Sequence, residues 1–155
     1  MNISPTLVRF TLEPYASVVD EIRPLLVEHW QELAVYPDIP LDPDYEIYKS
    51  LDRMGAMMIY TVRVDDALVG YAVYFTRKHL HYKQHTWAIN DIVLIRDGYR
   101  NAGIGMKFFD FIEKDLKDRG VDVMHTSTKT MHPELAMLLR ARQHNEVELG
   151  FSLRL

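Results

Sequence analysis

Apolar residues recur along this chain at two periods, near 2 and near 3.6, and the switches between them predict an order of elements. Val8–Leu12 reads as a short strand, ended by Pro14. Residues 15–34 carry a helical rhythm, with Val18, Ile22, Leu26, Trp30 and Leu33 on one side. Pro24 falls inside that rhythm and would cost about 3 kcal/mol in a continuous helix, so two pieces, or a helix beginning at Pro24, are expected. The prolines at 37, 40 and 43 mark a loop, followed by a short helix over Tyr45–Arg53. Met57–Val64 and residues 68–77 form a hairpin turning at Asp65-Asp66, with Gly70 as a bulge candidate. A polar loop, residues 79–85, separates this hairpin from a strand over 86–95.

That strand leads into Arg100-Asn101-Ala102-Gly103-Ile104-Gly105, and then into an amphipathic helix. Ile104, Phe108, Phe111, Ile112 and Leu116 share its apolar side, and Gly120 closes it as a left-handed cap. A strand over 121–126 follows. His132-Pro133-Glu134 opens a last helix, with Pro133 suited to the first turn and Leu135, Leu138 and Leu139 as a buried stripe. Residues 147–155 can supply one or two closing strands. The order β-α-α-β-β-β-α-β-α-β describes an α/β (α+β) chain with a largely antiparallel first half.

Composition narrows the classes. A chain of 155 residues, 48% hydrophobic and 26% charged, has the size and balance of one domain, residues 1–155. Its net charge of −4 carries no broad basic signal for nucleic acid or an anionic membrane. The absence of cysteine excludes disulfides, a thiol nucleophile and thiolate metal sites, and fits a cytoplasmic location. The first residues show neither a basic flank nor a long apolar run, so no signal peptide or membrane span is expected.

The glycine loop carries the most specific chemistry. Two glycines at a strand-to-helix junction let a ligand approach the backbone, and the free N–H groups of the helix's first turn suit a phosphate. A Walker loop would need Lys and Ser/Thr directly after Gly105, where Met106-Lys107-Phe108 stands. A dinucleotide fingerprint would need a glycine at Phe108. The pattern Arg-x-x-Gly-x-Gly, Arg100 to Gly105, instead resembles the acyl-CoA loop of the GCN5-related N-acetyltransferase (GNAT) superfamily. The order of elements matches that family's fold along nearly the whole chain. Glu28-His29-Trp30, Ile39-Pro40-Leu41, Leu68-Val69-Gly70-Tyr71, Leu80-His81-Tyr82 and Asn90-Asp91 look like phage-borne members.

The resemblance implies a GNAT-like fold, a central, mostly antiparallel mixed sheet flanked by helices, and acetyl-CoA as acyl donor to an amine acceptor. The diphosphate would rest on amides of Asn101, Ala102, Gly103, Ile104, Gly105 and Met106, beside Arg100. The pantetheine arm would pair with the strand edge at Val93, Leu94 and Ile95, where two strands splay apart. Either Asn90 or Asp91 would face the acceptor, because the strand has one residue more than the common form. Asp91 is the first candidate for a base, with His81, Tyr82 and His85 as further candidates along the 79–85 loop. Glu28 and Glu32, one helical turn apart, are reserve candidates for the base and, with His85, candidates for the acceptor side, the other reading of the two glutamates being a solvated helix face. Aligning His132 with the family's usual asparagine puts Leu139 where a tyrosine often protonates the departing thiolate, and no tyrosine follows Tyr99. That departure keeps a second reading open, a GNAT-fold binding or assembly protein without turnover. His79, His81 and His85 raise a metal site, but no carboxylate lies near them in sequence, and none is assigned. A homodimer pairing through residues 151–155 is a further expectation.

Overall fold

The computed structural model describes residues 7–100 and 103–155. Its order is β1 (Val8–Leu12), α1 (Tyr15–Leu33), α2 (Tyr45–Arg53), β2 (Met57–Val64), β3 (Ala67–His79), β4 (Tyr82–Ile95), α3 (Ile104–Asp118), β5 (Val123–His125) and α4 (Pro133–Ala141). The strands lie in the order β1-β2-β3-β4-β5, antiparallel except for the parallel β4–β5 pair. Each face of this sheet buries a separate core. On one, Tyr60, Val62, Ala72, Tyr74 and Ala88 pack against Ile104, Phe108, Ile112 and Leu116 of α3. On the other, Ile59, Tyr71, Val73 and Leu94 pack beneath Val18, Ile22 and Leu25 of α1. Strand alternation assigns each residue to its face, which is why both cores can be read from one sheet. Among the described residues, no helix is long and apolar enough to cross a membrane.

The hairpin of β2 and β3 turns on Asp65 and Asp66, both with positive φ, as a tight hairpin turn requires. Its register slips between Val62 and Arg63, opposite Gly70. A Cβ on Gly70 would stand 2.7 Å from the Leu94 carbonyl oxygen, so that glycine permits the close approach of β3 and β4.

Three expectations need correction. Helix α1 runs unbroken through Pro24. Pro24 sits on the exposed side, where water can take the carbonyl its ring deprives of a partner, and packing on the sheet holds the rest. The buried stripe of α1 is Val18, Ile22, Leu25 and His29, so His29 turns inward and Trp30 is only half-buried. Finally, residues 147–155 form no strand. Glu148, Ser152 and Arg154 reach His125 (3.6 Å), Tyr36 (2.8 Å) and Asp38 (2.8 Å) instead. These side-chain ties hold the tail away from a backbone ladder, and the alternate residues Val147, Leu149, Phe151, Leu153 and Leu155 are exposed.

Candidate active site

The site begins where β4 and β5 part. Their pairing consists of Trp87 with Val123, Ala88 with Met124 and Ile89 with His125. At the next residue a side chain takes over from the ladder. Asn90 accepts a 2.7 Å bond from the Ser127 N–H and donates a 3.1 Å bond to the Ser127 carbonyl. Beyond this clamp the chain diverges, and β4 from Val93 to Ile95 presents an edge to a cavity of roughly 190 Å³. Leu94 and His29 stand on one wall, Phe109 on another, and Thr128, Lys129, His132, Leu135 and Leu138 on the side of β5 and α4. Lining this cavity explains why only Leu139 of the expected α4 stripe is buried. Phe109, left out of the expected apolar face of α3, is almost wholly enclosed.

Asp91 is the extra residue of β4. The β3–β4 register passes from Val73 opposite Ile92 to Tyr74 opposite Asn90, leaving Asp91 in a bulge. Bulges redirect side chains. Here the Asp91 carboxylate accepts a 2.7 Å hydrogen bond from the Tyr48 hydroxyl of α2. Burial and that bond push the Tyr48 phenol well above its usual range, so it acts as a donor. The Asn90/Asp91 alternative is thus divided structurally: Asn90 clamps the splay, and Asp91 faces α2.

Arg100, which opens the glycine loop, also lines this cavity. Gly103 has φ +69°, and a Cβ there would meet no described atom within 4 Å. It caps α3 without a side-chain hydrogen bond, and the first turn of α3 holds no acidic residue. Among the described residues, its leading N–H groups have no side-chain cap, and they carry the positive end of the helix dipole. Gly105 plays a different part. A Cβ on it would lie 2.7 Å from Leu138 Cδ1, so this glycine admits α4 against α3. Ile104 is buried, while Met106 is exposed and its carbonyl accepts a 3.0 Å bond from Arg142. Asn101 and Ala102, expected among the donors, lie outside the described residues.

The carboxylates of α1 turn out to be tied to the segment after β4. Glu32 pairs with Arg100 at 2.8 Å and Glu28 with Arg96 at 3.1 Å. Arg100 also donates to the Ile95 carbonyl at 2.7 Å, fixing the entrance to the loop. The Arg100 bond holds the Glu32 carboxyl below the usual carboxylate range. His132, at the start of α4, comes within 3.2 Å of the Glu32 carbonyl oxygen and so bridges α4 to α1.

The expected loop over 79–85 shrinks to a turn at residues 80 and 81, with Tyr82 and His85 in β4, and none of these residues lines the cavity. His81 lies in the turn, where its N–H donates to His79 Nδ1 at 3.1 Å. Tyr82 is exposed, its ring 6.5 Å from Trp87, and His85 sits 3.3 Å from Asp122. His85 and His81 are six and ten residues from Asp91, about 20 and 33 Å along a strand. Among the described residues, no group of three His, Asp or Glu side chains is placed to hold a metal ion.

Two groups near the bulge escape a reading by sequence. Tyr48 pairs with a residue 43 positions away, and nothing local signals it. His29 lines the cavity with its Nε2 buried and without a hydrogen-bond partner. The Tyr71 hydroxyl, fully enclosed under α1, shares that condition. The charge of Asp91 acts on both groups. The i, i+3, i+4 spacing that placed Ile22 inward could have included His29, had a histidine been admitted to the apolar stripe.

The model of the acetyltransferase (GNAT) family matches residues 19–139. Ribosomal-protein-alanine N-acetyltransferase from Brucella melitensis biovar Abortus 2308 is 17% identical, with a TM-score of 0.74 over 96% of this chain and 99% of that one. An aminoglycoside acetyltransferase from an uncultured soil metagenomic sample, in complex with trehalose, reaches 0.76 at 13% identity, covering 96% of both chains. A third, an aminoglycoside N-acetyltransferase in complex with CoA, reaches 0.70 at 12% identity over 99% and 98%. No curated protein sequence matches this one significantly.

Proposed function

Since this chain belongs to the GNAT acetyltransferase family, we propose that it moves the acetyl group of acetyl-CoA to a primary amine by direct attack. One observation carries the reading: a helix start with no side-chain cap among the described residues, behind left-handed Gly103 and shortly after Arg100, which lines a cavity where β4 and β5 part. A dianionic diphosphate fits the first, with Arg100 beside it, and an extended amide-bearing arm along Val93, Leu94 and Ile95 fits the second. Asp91, at the bulge, takes the base role. The acceptor enters as an ammonium near pKa 10.4, and freeing the amine at neutrality costs about 4–5 kcal/mol. The Asp91 carboxylate, oriented by Tyr48, takes that proton directly or through a water as the C–N bond forms. A strand-edge N–H near Val93 or Leu94 stabilises the developing oxyanion, and the C–S bond then breaks. The departing thiol, near pKa 8.5, can leave as thiolate without the missing tyrosine. Lacking cysteine, the chain has no thiol of its own to carry an acyl group. The exposed Glu28 and Glu32 are placed to influence a cationic acceptor only where Arg96 and Arg100 leave them free.

The reading extends to a cytoplasmic, phage-borne enzyme, and the exposed apolar alternation of residues 147–155 supports a homodimer. Leu139, buried at the usual tyrosine position, supports the second reading, a binding or assembly protein. Thiol release from acetyl-CoA with an amine panel, including an alanine N-terminal peptide and an aminoglycoside, divides the two. Turnover with any amine supports the transferase; tight CoA binding with none supports the binding protein. In the active enzyme, Asp91→Asn should lower kcat about 100-fold with little change in CoA affinity. It should also flatten the acidic limb of the pH–rate profile, since the base is lost to protonation as pH falls.

A further inference from the structure

His29 is more than nine-tenths buried on α1, and its Nε2 has no partner among the described residues. A buried polar atom left unsatisfied destabilises the fold, a penalty that a leucine at the same place would avoid. The neighbouring turns of α1 show what packing alone asks for, since Val18, Ile22 and Leu25 fill the equivalent inward positions. Tyr71, the other buried group without a partner, lies beneath α1 and takes no part in the cavity wall. His29 does line the cavity, together with Leu94, Ile95, Thr128, Lys129 and His132. The charged and titratable groups acting on it are Glu32, Arg100, Asp91 and His132.

Resting on the reading of this cleft as the acyl-CoA site, we infer that His29 is a hydrogen-bonding contact to the pantetheine arm of the bound donor. The contact comes from α1, a third direction besides the β4 edge and the loop. Burial holds the imidazole below its usual pKa, leaving one N–H and one lone pair at neutrality. Either suits the arm, whose amides and hydroxyl both give and accept hydrogen bonds. Nε2 is closed to water in the free protein, so the contact forms as the imidazole turns toward the arm on binding.

The test compares three probes, CoA, pantetheine and 3′,5′-ADP, binding to the wild type, His29→Leu and His29→Gln, with thermal melting of each protein. His29→Leu should melt at the same temperature or higher, because it removes an unsatisfied polar atom. It should bind CoA and pantetheine about 5- to 10-fold more weakly, the worth of one hydrogen bond, and 3′,5′-ADP with unchanged affinity. His29→Gln should recover part of the loss. Unchanged pantetheine and CoA affinity in His29→Leu would overturn the contact, as would an equal loss for all three probes, which would mean a deformed cleft. If the wild type binds none of the three, the acyl-CoA site itself is wrong and the inference goes with it. Should His29→Leu fail to fold, His29→Gln retains the test, since a structural role predicts the same factor for all three probes.

Discussion

Helix α1 carries two acidic–basic clusters of similar chemistry and opposite character. At its N-terminal end Glu21, with Glu13 just before the helix, encloses Arg63. Arg63 meets both carboxylates through two bonds each, at 2.8 to 3.1 Å, and donates a further 2.9 Å bond to the Asp66 carbonyl. Its side chain is 10% exposed, and the Glu13 carboxylate also receives the Thr61 hydroxyl. At the C-terminal end Glu28 and Glu32 meet Arg96 and Arg100 with one bond each, at 46–50% and 31–33% exposure. In the first cluster Arg63 is saturated and enclosed with Glu13, while Glu21 is 47% exposed. The second is more loosely bonded, with His29, next to Glu28, lacking a partner for its Nε2 among the described residues. Saturation binds β1, α1 and β2 into one body, whereas the other end ties α1 to the segment after β4 through single bonds.

The largest effect should come from the first cluster. Arg63→Ala leaves two carboxylates facing each other without their guanidinium, and should cost about 3–5 kcal/mol in urea unfolding. The affinity of the folded protein for acetyl-CoA should stay as in the wild type, and a matching fall in affinity would erase the contrast. Next comes Gly103→Val. Its left-handed backbone makes the substitution strained by about 1–3 kcal/mol, and the new side chain enters the open space before α3. Acetyl-CoA affinity, measured by calorimetry on folded protein, should drop at least about tenfold, as for the loss of a charge-assisted contact. Equal affinity in a folded variant would remove the diphosphate from this corner.

The pH dependence sharpens the comparison from another side. The bonds to Arg63 lower the pKa of both Glu13 and Glu21 in the folded protein. Their contribution is therefore full above the unfolded carboxylate range, near 4.3, and is lost as pH falls through the lower folded values. Acid unfolding of Arg63→Ala should accordingly be shallower in that window than that of the wild type. His29 acts in a higher window. Burial lowers its pKa, so its neutral form favours the fold above about 6.5 and loses that contribution as pH falls below it. The smallest effect belongs to Arg96→Ala, which breaks a half-exposed pair and should shift stability by under about 1 kcal/mol. A loss as large as that of Arg63→Ala would show that the second cluster is structural too.

Local patterns settled much of this protein. The β-hairpin, the amphipathic α3, the Gly120 cap and the proline-led α4 follow from periodicity and from residues whose backbone preferences act over a turn or two. So does the glycine loop, because a strand, a left-handed residue and a helix start are all contiguous in the chain. What the fold alone decided depends on contacts made far apart. Pro24 stays helical because a sheet face holds α1 on both sides of it. Asn90 and Asp91 look interchangeable in sequence, and only Ser127 and Tyr48, 37 and 43 residues away, give them different tasks. The tail at 147–155 alternates like a strand, but its polar side chains found partners before its backbone did. His29 reads as one more polar residue on a helix until the cavity beside it is known, because an unsatisfied hydrogen bond exists only in three dimensions.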